Sequence, residues 1–272
     1  MSRQAPVRDV APIVSRIRVR HARRGRLRFS SHRDFQRALE RALRRAEVPV
    51  AFSQGFNPRP RISYANAAAT GVASEAEYVE IALTAEVDPD RARLALDGAL
   101  PPGLDVLDVV IARTPDLVAR LEASVFELRL PEVPAVAAGR ALEALLAADT
   151  VEVERLTKSG VRRFDARSAV LVAQLRDTPG TGSSPSARSG EARPCAILDL
   201  VVRHHTPAVR PDDVLAALRQ VADLDAPVAP QVTRWAQGPL VADPGSGPPR
   251  DAVTDPLAPD RDEAAVGARG TT

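Results

Sequence analysis

The sequence predicts an α+β fold built as two halves in tandem, followed by a disordered tail. Three observations predict it. Short segments in which apolar and polar residues alternate are typical of half-buried strands, and apolar residues repeating every three or four positions indicate amphipathic helices. These segments follow the order β-α-β-β-α-β once clearly and once more loosely, and residues 243–272 show neither pattern.

The order β-α-β-β-α-β is the split βαβ arrangement of ferredoxin-like domains. We therefore predict tandem ferredoxin-like domains at residues 16–118 and 122–241. A flexible leader at 1–15, a mobile loop rich in Gly, Ser and Pro at 178–194 and a disordered tail at 243–272 complete the predicted organisation.

The first half begins with the clearest signals. Arginines alternate with apolar residues over 16–29, which predicts a strand with one basic face that continues past a turn near Gly25. Ser31 and Asp34 have the spacing of a capping box, and Phe35 begins the apolar stripe of the helix that follows. The opposite face of this helix is predicted to be basic, with Arg37, Arg41, Arg44 and Arg45.

The remaining elements rest on shorter patterns. In the first half, strands are predicted at 62–65, 77–85 and 104–112, and a helix capped by Asp88 runs to about residue 100. The second half is predicted to contain strands at 125–130, 151–156, 162–167, 170–175, 196–203 and 232–235, and helices at 135–148 and 211–221.

Charge is divided unevenly along the chain. Residues 1–62 hold 16 arginines against four acidic residues, a net charge of +12. The rest of the chain holds 21 basic and 31 acidic residues, a net charge of −10. This division indicates an anionic partner for the basic part, either RNA or another polyanion, although a merely solvated basic face would have the same composition.

Composition argues against several classes of protein. There is no apolar run of about 18 residues, so no membrane span is expected. Cys195 is the only cysteine, which excludes an internal disulfide or an iron–sulfur or zinc site built from several cysteines of this chain, and fits the reducing cytoplasm. Phosphate-binding loops, dinucleotide-binding glycine patterns and nucleophile elbows are absent from the sequence, so no cofactor is expected.

The candidate ligand-binding site is predicted where the start of the basic helix meets the proline-stiffened loop that follows it. A helix N-terminus attracts phosphate or carboxylate, and arginine adds forked donors. Phe56 is either a platform for base stacking or an anchor that plugs the loop into the core. The predicted ligand-binding residues are Arg28, Ser31, His32, Asp34, Gln54, Gly55, Phe56, Asn57, Arg59 and Arg61.

The four histidines are interpreted separately. His32 is either a ligand contact that also fixes the turn into the helix, or a general acid/base. His21 is expected on a solvated turn. His204 and His205 follow an apolar strand, and adjacent residues in an extended chain point to opposite faces, so they make a poor metal pair and no metal site is expected.

A series of motifs runs from Phe29 to Tyr78. Its residues are Phe29, Ser31, His32, Asp34, Arg41, Ala42, Arg44, Arg45, Ser53, Gly55, Phe56, Asn57, Pro58, Pro60, Gly71, Ser74, Glu77 and Tyr78. These motifs resemble those of the radical-SAM-linked protein family, a domain of unknown function found beside or fused to radical SAM enzymes. The resemblance covers about residues 16–115 and departs from the family at Phe52, where tyrosine is usual, and at Arg59, where histidine is common.

The resemblance implies partnership with a radical SAM enzyme and no settled activity. The single cysteine means that this chain is not itself a radical SAM enzyme. The leading hypothesis is an accessory RNA-binding module, with tRNA as a candidate, that works with a separate radical SAM or RNA-modifying enzyme. The alternatives are a small RNA-processing enzyme that uses His32, and a protein–protein adaptor whose arginine face meets an acidic partner.

Overall fold

The structure is a computed structural model that describes residues 11–54, 56–157, 160–176 and 193–261. The chain divides into two compact units. The first contains the chain up to Arg120 and the chain from Asp255 onward, and the second contains Leu121–Thr254. Within the described ranges, the structure has no helix of the length and apolar character needed to cross a membrane.

The first unit is a layer of helices on an antiparallel sheet. Its elements, in chain order, are β1 (Ser15–Arg23), α1 (His32–Arg45), β2 (Ile62–Ala65), β3 (Ala73–Leu83), α2 (Pro89–Ala99), β4 (Val106–Ile111) and the short α3 (Leu117–Arg120). The four strands lie side by side in the order β4-β1-β3-β2. The core between sheet and helices includes the fully buried Ile17, Leu39, Ile81 and Leu96.

The helices α1 and α2 begin at the capping residues that the sequence predicts. Ser31 and Asp34 form a complete capping box at α1. The side chain of Asp88 accepts a hydrogen bond from the backbone N–H of Arg91, and Pro89 occupies the first turn of α2. Both helices therefore begin at residues that satisfy the free N–H groups of their first turns.

The predicted continuation of the first strand to Phe29 is wrong. Gly25 has a φ of 53°, in the left-handed region that favours glycine. The backbone N–H of Leu27 then bonds the carbonyl of Arg24 at 3.1 Å, and a 3-10 turn forms over Gly25–Phe29. The predicted basic face of β1 is also wrong at Arg18, which is 2% exposed.

The second unit contains four antiparallel strands that lie side by side and a separate hairpin. Its elements, in chain order, are β5 (Ala123–Pro131), α4 (Ala135–Ala147), β6 (Glu152–Thr157), β7 (Gly160–Asp165), β8 (Val170–Leu175), β9 (Cys195–Arg203), α5 (Pro211–Ala222) and β10 (Gln231–Gly238). The main sheet has the order β10-β5-β9-β8, and β6 pairs only with β7 among the described strands.

Part of the predicted disordered tail is ordered. Residues 243–261 are described and contain a 3-10 turn at Pro249–Asp251. Ala252 is 1% exposed and Leu257 is fully buried. Single buried apolar residues therefore keep this segment packed against the protein, although its sequence has no periodic pattern. Residues 262–272 of the predicted tail lie outside the described residues, as do residues 1–10 of the leader and 177–192 of the predicted mobile loop.

Candidate functional site

The start of α1 is built from its own capping residues. The backbone N–H of Asp34 donates to Ser31 Oγ at 3.2 Å, and the Asp34 carboxylate accepts from the backbone N–H and the hydroxyl of Ser31 at 3.3 and 2.6 Å. These hydrogen bonds from Ser31 lower the pKa of Asp34. The negative charge that a helix N-terminus attracts is therefore already supplied by the chain at this point.

His32 lies at the exposed end of a row of four rings. Its ring meets the edge of Tyr64 with centroids 4.7 Å apart, and its Nε2 lies 3.0 Å from the side-chain nitrogen of Gln36. Tyr64 in turn meets Phe35 edge-on at 6.1 Å, and Phe35 stacks on His21 at 4.4 Å. His21 is only 4% exposed, so the prediction of a solvated turn for this residue is wrong.

The cleft beside these rings is too small for a substrate. Its volume is about 10 Å³, which is room for about one water molecule. Burial, and to a lesser extent the charge of Glu40, raise the pKa of Tyr64 to about 12, so its phenol is neutral at physiological pH. A ligand that contacts His32 must therefore lie on the outer surface of α1 and β2.

The loop between residues 53 and 61 is clamped at its base. The backbone N–H of Ser53 donates to the carbonyl of Arg59 at 2.8 Å, and the N–H of Arg59 returns a bond to Ser53 Oγ at 3.0 Å. The N–H of Arg61 donates to the carbonyl of Ala51 at 2.8 Å. Ser53 was not among the predicted ligand-binding residues, and its side chain holds the loop closed.

The tip of this loop points into solvent. Phe56 is 55% exposed, so the alternative that it anchors the loop in the core is wrong. Gln54, Asn57, Arg59 and Arg61 are also exposed, and Gly55 lies outside the described residues.

The helix start and the loop are connected through β2. Arg61 precedes β2, and its carbonyl accepts a bond from the N–H of Ala82 at 3.0 Å. Tyr64, which touches His32, pairs with Val79, about 10 Å further along the strand. In the parts of the chain that the structure describes, no hydrogen bond, ion pair or ring contact joins residues 54–61 to residues 31–34. The structure thus brings His32 to Tyr64 and does not bring it into such contact with the loop.

The predicted basic face is a continuous exposed surface of α1. Arg37, Arg41, Arg44 and Arg45 are all exposed, as is Arg33. Arg33, Arg37, Arg41 and Arg45 follow one another at intervals of four residues, about 6 Å along the helix axis. Within the described ranges, none of the five has an acidic group within 4 Å, and the only hydrogen bond of their side chains is a long one, 3.4 Å, from Arg45 to the carbonyl of Ala99.

Arg28 belongs to a neighbouring aromatic surface. Its guanidinium lies 4.5 Å from the ring centre of Phe29, which is 58% exposed. The ring lies 3.8 Å from the position that a Cβ on Gly71 would occupy, which is an ordinary contact distance, and glycine is favoured at this position by its φ of 94°. Phe29 was missed as a site residue because the sequence predicted it as the end of a strand, where an aromatic residue is ordinarily buried.

His204 has a structural role in the second unit. A carbonyl only accepts, so Nδ1 donates to the carbonyl of Leu121 at 2.7 Å, and Nε2 accepts from Ser124 Oγ at 2.7 Å. Burial lowers the pKa of His204 and keeps it neutral. Ser124 is 1% exposed and cannot reach a substrate. Among the residues that the structure describes, no group of three His, Cys, Asp or Glu side chains is placed to hold a metal ion.

Residues 16–211 match the model of a protein family, DUF2344, that is described as an uncharacterized protein conserved in bacteria. No curated protein matches the chain. The matched residues include α1, the loop at 53–61 and the aromatic surface around Phe29.

Proposed function

Since the chain belongs to the uncharacterized bacterial family DUF2344, whose description assigns no activity, we propose that its first unit is an RNA-binding module. The module works as an accessory to a separate radical SAM or RNA-modifying enzyme. One observation carries the proposal: the arginine row of α1 is exposed and has no acidic partner within 4 Å among the described residues.

This row has an electrostatic cost that an RNA backbone would remove. Like charges four residues apart destabilise a helix by about 0.2–0.5 kcal/mol per pair. Arg33, Arg37 and Arg41 form such pairs in succession, and Arg45 continues the row. Some arginines elsewhere in the unit are paired with carboxylates, as Arg24 is with Glu75 and Asp105 at 2.5 Å. A surface that keeps its charge unpaired suits a polyanion.

Two exposed aromatic rings favour RNA over a purely ionic partner. Phe29 is 58% exposed beside Arg28, and Phe56 is 55% exposed three residues before Arg59. Bases of single-stranded RNA stack on such rings, and arginine contacts the phosphates between them. Exposed aromatics near arginines therefore match both chemical parts of a nucleotide.

The surroundings of His32 favour binding over catalysis. General acid/base cleavage of RNA is most effective when one group takes a proton from the attacking hydroxyl and a second group gives one to the leaving oxygen. The side-chain hydrogen-bond partner of His32 among the described residues is Gln36, which does not titrate, and the adjacent cleft holds about one water. The partnership with a radical SAM enzyme is supported by the family resemblance of residues 16–115, and the lone Cys195 means that this chain does not itself hold a radical SAM cluster.

We also infer that the two units are tandem ferredoxin-like domains. The first has the chain order β1-α1-β2-β3-α2-β4 and the strand order β4-β1-β3-β2. If the β6–β7 hairpin is an insertion, the second unit has the same order, with β5, β8, β9 and β10 in the corresponding places. Domains of this kind present one sheet face and two helices, and α1 is one of those helices here.

The proposal is tested by RNA binding as a function of salt. The site variant carries Arg37→Gln, Arg41→Gln and Arg44→Gln. The matched control carries Arg91→Gln, Arg93→Gln and Arg140→Gln, which removes the same charge from α2 and α4. We expect wild type and control to bind a labelled unmodified tRNA transcript alike, with affinity falling as salt rises. The site variant should bind more weakly, and its slope of log K against log salt should be smaller by about 2–3.

Three outcomes separate the alternatives. Equal losses in both triple variants would show that net charge alone determines binding, and would overturn the assignment to α1. No RNA binding together with a stable complex with another protein would favour the adaptor. Cleavage of the transcript by wild type, abolished in His32→Ala, would favour the RNA-processing enzyme. Circular dichroism of each variant controls for folding.

A further inference from the structure

The chain places a buried carboxylate from its C-terminal part in the first unit. The side chain of Asp260 has no exposed surface. Its Oδ1 accepts from Arg18 Nη1 at 2.8 Å, from the backbone N–H groups of Arg113 and Thr114 at 3.0 Å each, and from the Thr114 hydroxyl at 2.7 Å. Its Oδ2 accepts from Arg18 Nη1 at 2.6 Å and from Arg120 Nη1 at 3.4 Å. We call Arg18, Arg113, Thr114 and Arg120 the anion socket.

The anion socket offers more donors than a carboxylate accepts well. Five donor atoms reach two oxygens that have about four lone-pair sites between them, and Arg18 Nη1 contacts both oxygens. Arg120 has a further donor, because its buried Nε lacks a hydrogen-bond partner among the described residues. Two consecutive backbone N–H groups and two arginines are the donor set that proteins use for phosphate, whose three terminal oxygens would share these contacts more evenly.

The charges of the anion socket also require an anion. Among the described ion pairs, Asp260 is the only carboxylate that pairs with Arg120, and Arg18 has only Glu80 besides. Without Asp260, two largely buried guanidinium groups would share one carboxylate. Buried charge of this kind is strongly unfavourable unless it is paired.

The anion socket and its occupant come from different parts of the sequence. The socket residues lie within the segment that matches the family, residues 16–211, whereas Asp260 lies beyond it. Arg261 fastens the same short segment by ion pairs with Asp108 and Asp255. The family segment thus contains the site, and a separate segment fills it.

A cavity of about 190 Å³ opens beside the anion socket. Glu80 lines this cavity and also accepts from Arg18 Nε at 3.0 Å, so one residue links the two. Asp116 and Ser63 add polar groups to the wall, and Leu117 adds an apolar one. Carboxylates in the wall would accept from hydroxyl groups of a small ligand.

We propose that the anion socket is a binding site for a small phosphate ester that carries hydroxyl groups, and that Asp260 occupies it as an internal substitute for the phosphate. The phosphate of the ligand displaces Asp260 and takes over its contacts with Arg18, Thr114 and Arg120, while the hydroxyl-bearing part lies in the cavity beside Glu80. Binding releases the segment 255–261. This proposal does not depend on RNA binding by α1.

The test uses the full chain with Asp260→Asn, and inorganic phosphate as the probe. The asparagine removes the competing charge, so we expect phosphate to bind this variant at least tenfold more tightly than wild type in calorimetry, and its melting temperature to rise with phosphate until saturation. Asp255→Asn is the matched control, because it removes one charge from the same segment but none from the anion socket. It should respond to phosphate as wild type does. Chloride at equal ionic strength controls for screening.

Equal responses of Asp260→Asn and Asp255→Asn to phosphate, or no response of either, would overturn the proposal. If Asp260→Asn does not fold, hydrogen exchange on wild type decides. Ribose 5-phosphate at increasing concentration should accelerate exchange of residues 255–261, while exchange in β9 stays constant. If saturating ribose 5-phosphate leaves the hydrogen exchange of residues 255–261 unchanged, the ligand does not displace Asp260 and the proposal is wrong.

Discussion

At the start of α1, two residues with the chemistry to bind a ligand are used by the helix itself. The sequence predicted Ser31 and Asp34 both as a capping box and as ligand contacts, and the structure uses their side chains for each other and for the backbone. The two roles differ in what a substitution does. A cap contributes to stability, whereas a ligand contact contributes to affinity.

Replacing Ser31 by alanine should therefore affect stability alone. Loss of the bond from the Asp34 N–H should destabilise the protein by about 1 kcal/mol. RNA affinity in low salt should stay within a factor of two of wild type. Urea unfolding and fluorescence anisotropy measure the two quantities. A large loss of affinity at unchanged stability would restore Ser31 as a ligand contact.

The exposed rings should behave in the opposite way. Phe56→Ala removes a side chain that is 55% exposed, so we expect unchanged thermal stability and a loss of about 1–3 kcal/mol in binding of single-stranded RNA. Leu94→Ala is the control, because Leu94 is 61% exposed on α2 and has no base-stacking face. Equal affinity of the two variants would show that Phe56 does not stack on bases.

Asp260 should make the unfolding free energy of the protein depend on pH in the acid range. Burial alone would raise the pKa of this carboxyl, but hydrogen bonds from Thr114 and Arg18 outweigh it and lower the pKa. The unfolded chain has the higher pKa, about 3.9, so the stabilisation is complete above that value and is lost as the pH falls through the folded pKa. Wild type should exceed Asp260→Asn in unfolding free energy at pH 7, and this gap should close below pH of about 4. A gap that stays constant from pH 7 to pH 2 would contradict the assignment.

Single residues were predictable where their partners are near in sequence. The two residues of the capping box are three positions apart, and the exposure of Phe56 agrees with a loop that has little to bury. His21 was misplaced because its partner, Phe35, lies across a turn and a helix start. The buried ion pair of Asp260 could not be predicted, because its partner Arg18 is 242 residues away in the sequence.

Among the elements, α1 shows how a local pattern fixes both fold and candidate site. Its buried side is an apolar stripe, with Phe35, Leu39, Ala42 and Leu43 buried, and its other side is the basic face. The same periodicity therefore predicts the core and the surface. The segment after β1 was not predictable in this way, since the positive φ of Gly25 changes a continued alternation into a 3-10 turn.

Replacing one arginine of the basic face of α1 by a neutral residue should stabilise the protein. Arg41 has like charges at Arg37 and Arg45, so Arg41→Gln should raise the unfolding free energy by up to about 1 kcal/mol at low salt. The gain should fade in 0.5 M salt because exposed charges are screened. Arg91→Gln on α2 has no arginine four residues away and should change nothing. Urea unfolding at two salt concentrations measures this, and equal effects of both substitutions would refute repulsion along α1.

For the whole molecule, the sequence predicted an α+β chain because each strand and helix carries its own periodic signal. The structure confirms the α+β class: it contains both strands and helices, and the strands pair antiparallel within each unit. The sequence did not predict that the segment from Asp255, which follows the second unit along the chain, belongs to the first unit. This segment has no periodicity, and a buried ion pair with Arg18 together with the buried Leu257 orders it.

Two truncations test whether that return is part of the fold. Removing residues 262–272 leaves every described contact of the segment 255–261 in place, so the melting temperature should stay unchanged. Removing 255–272 takes away Asp260 and leaves Arg18 and Arg120 with one carboxylate between them. Breaking a buried ion pair from one side costs about 3–5 kcal/mol, and each kcal/mol corresponds to roughly 2–4 °C in a chain of this size, so the melting temperature should fall by on the order of 10 °C. Calorimetry of both truncated chains measures the difference. Equal melting temperatures would mean that the socket residues tolerate the loss of Asp260, and that the segment is as dispensable as its composition first indicated.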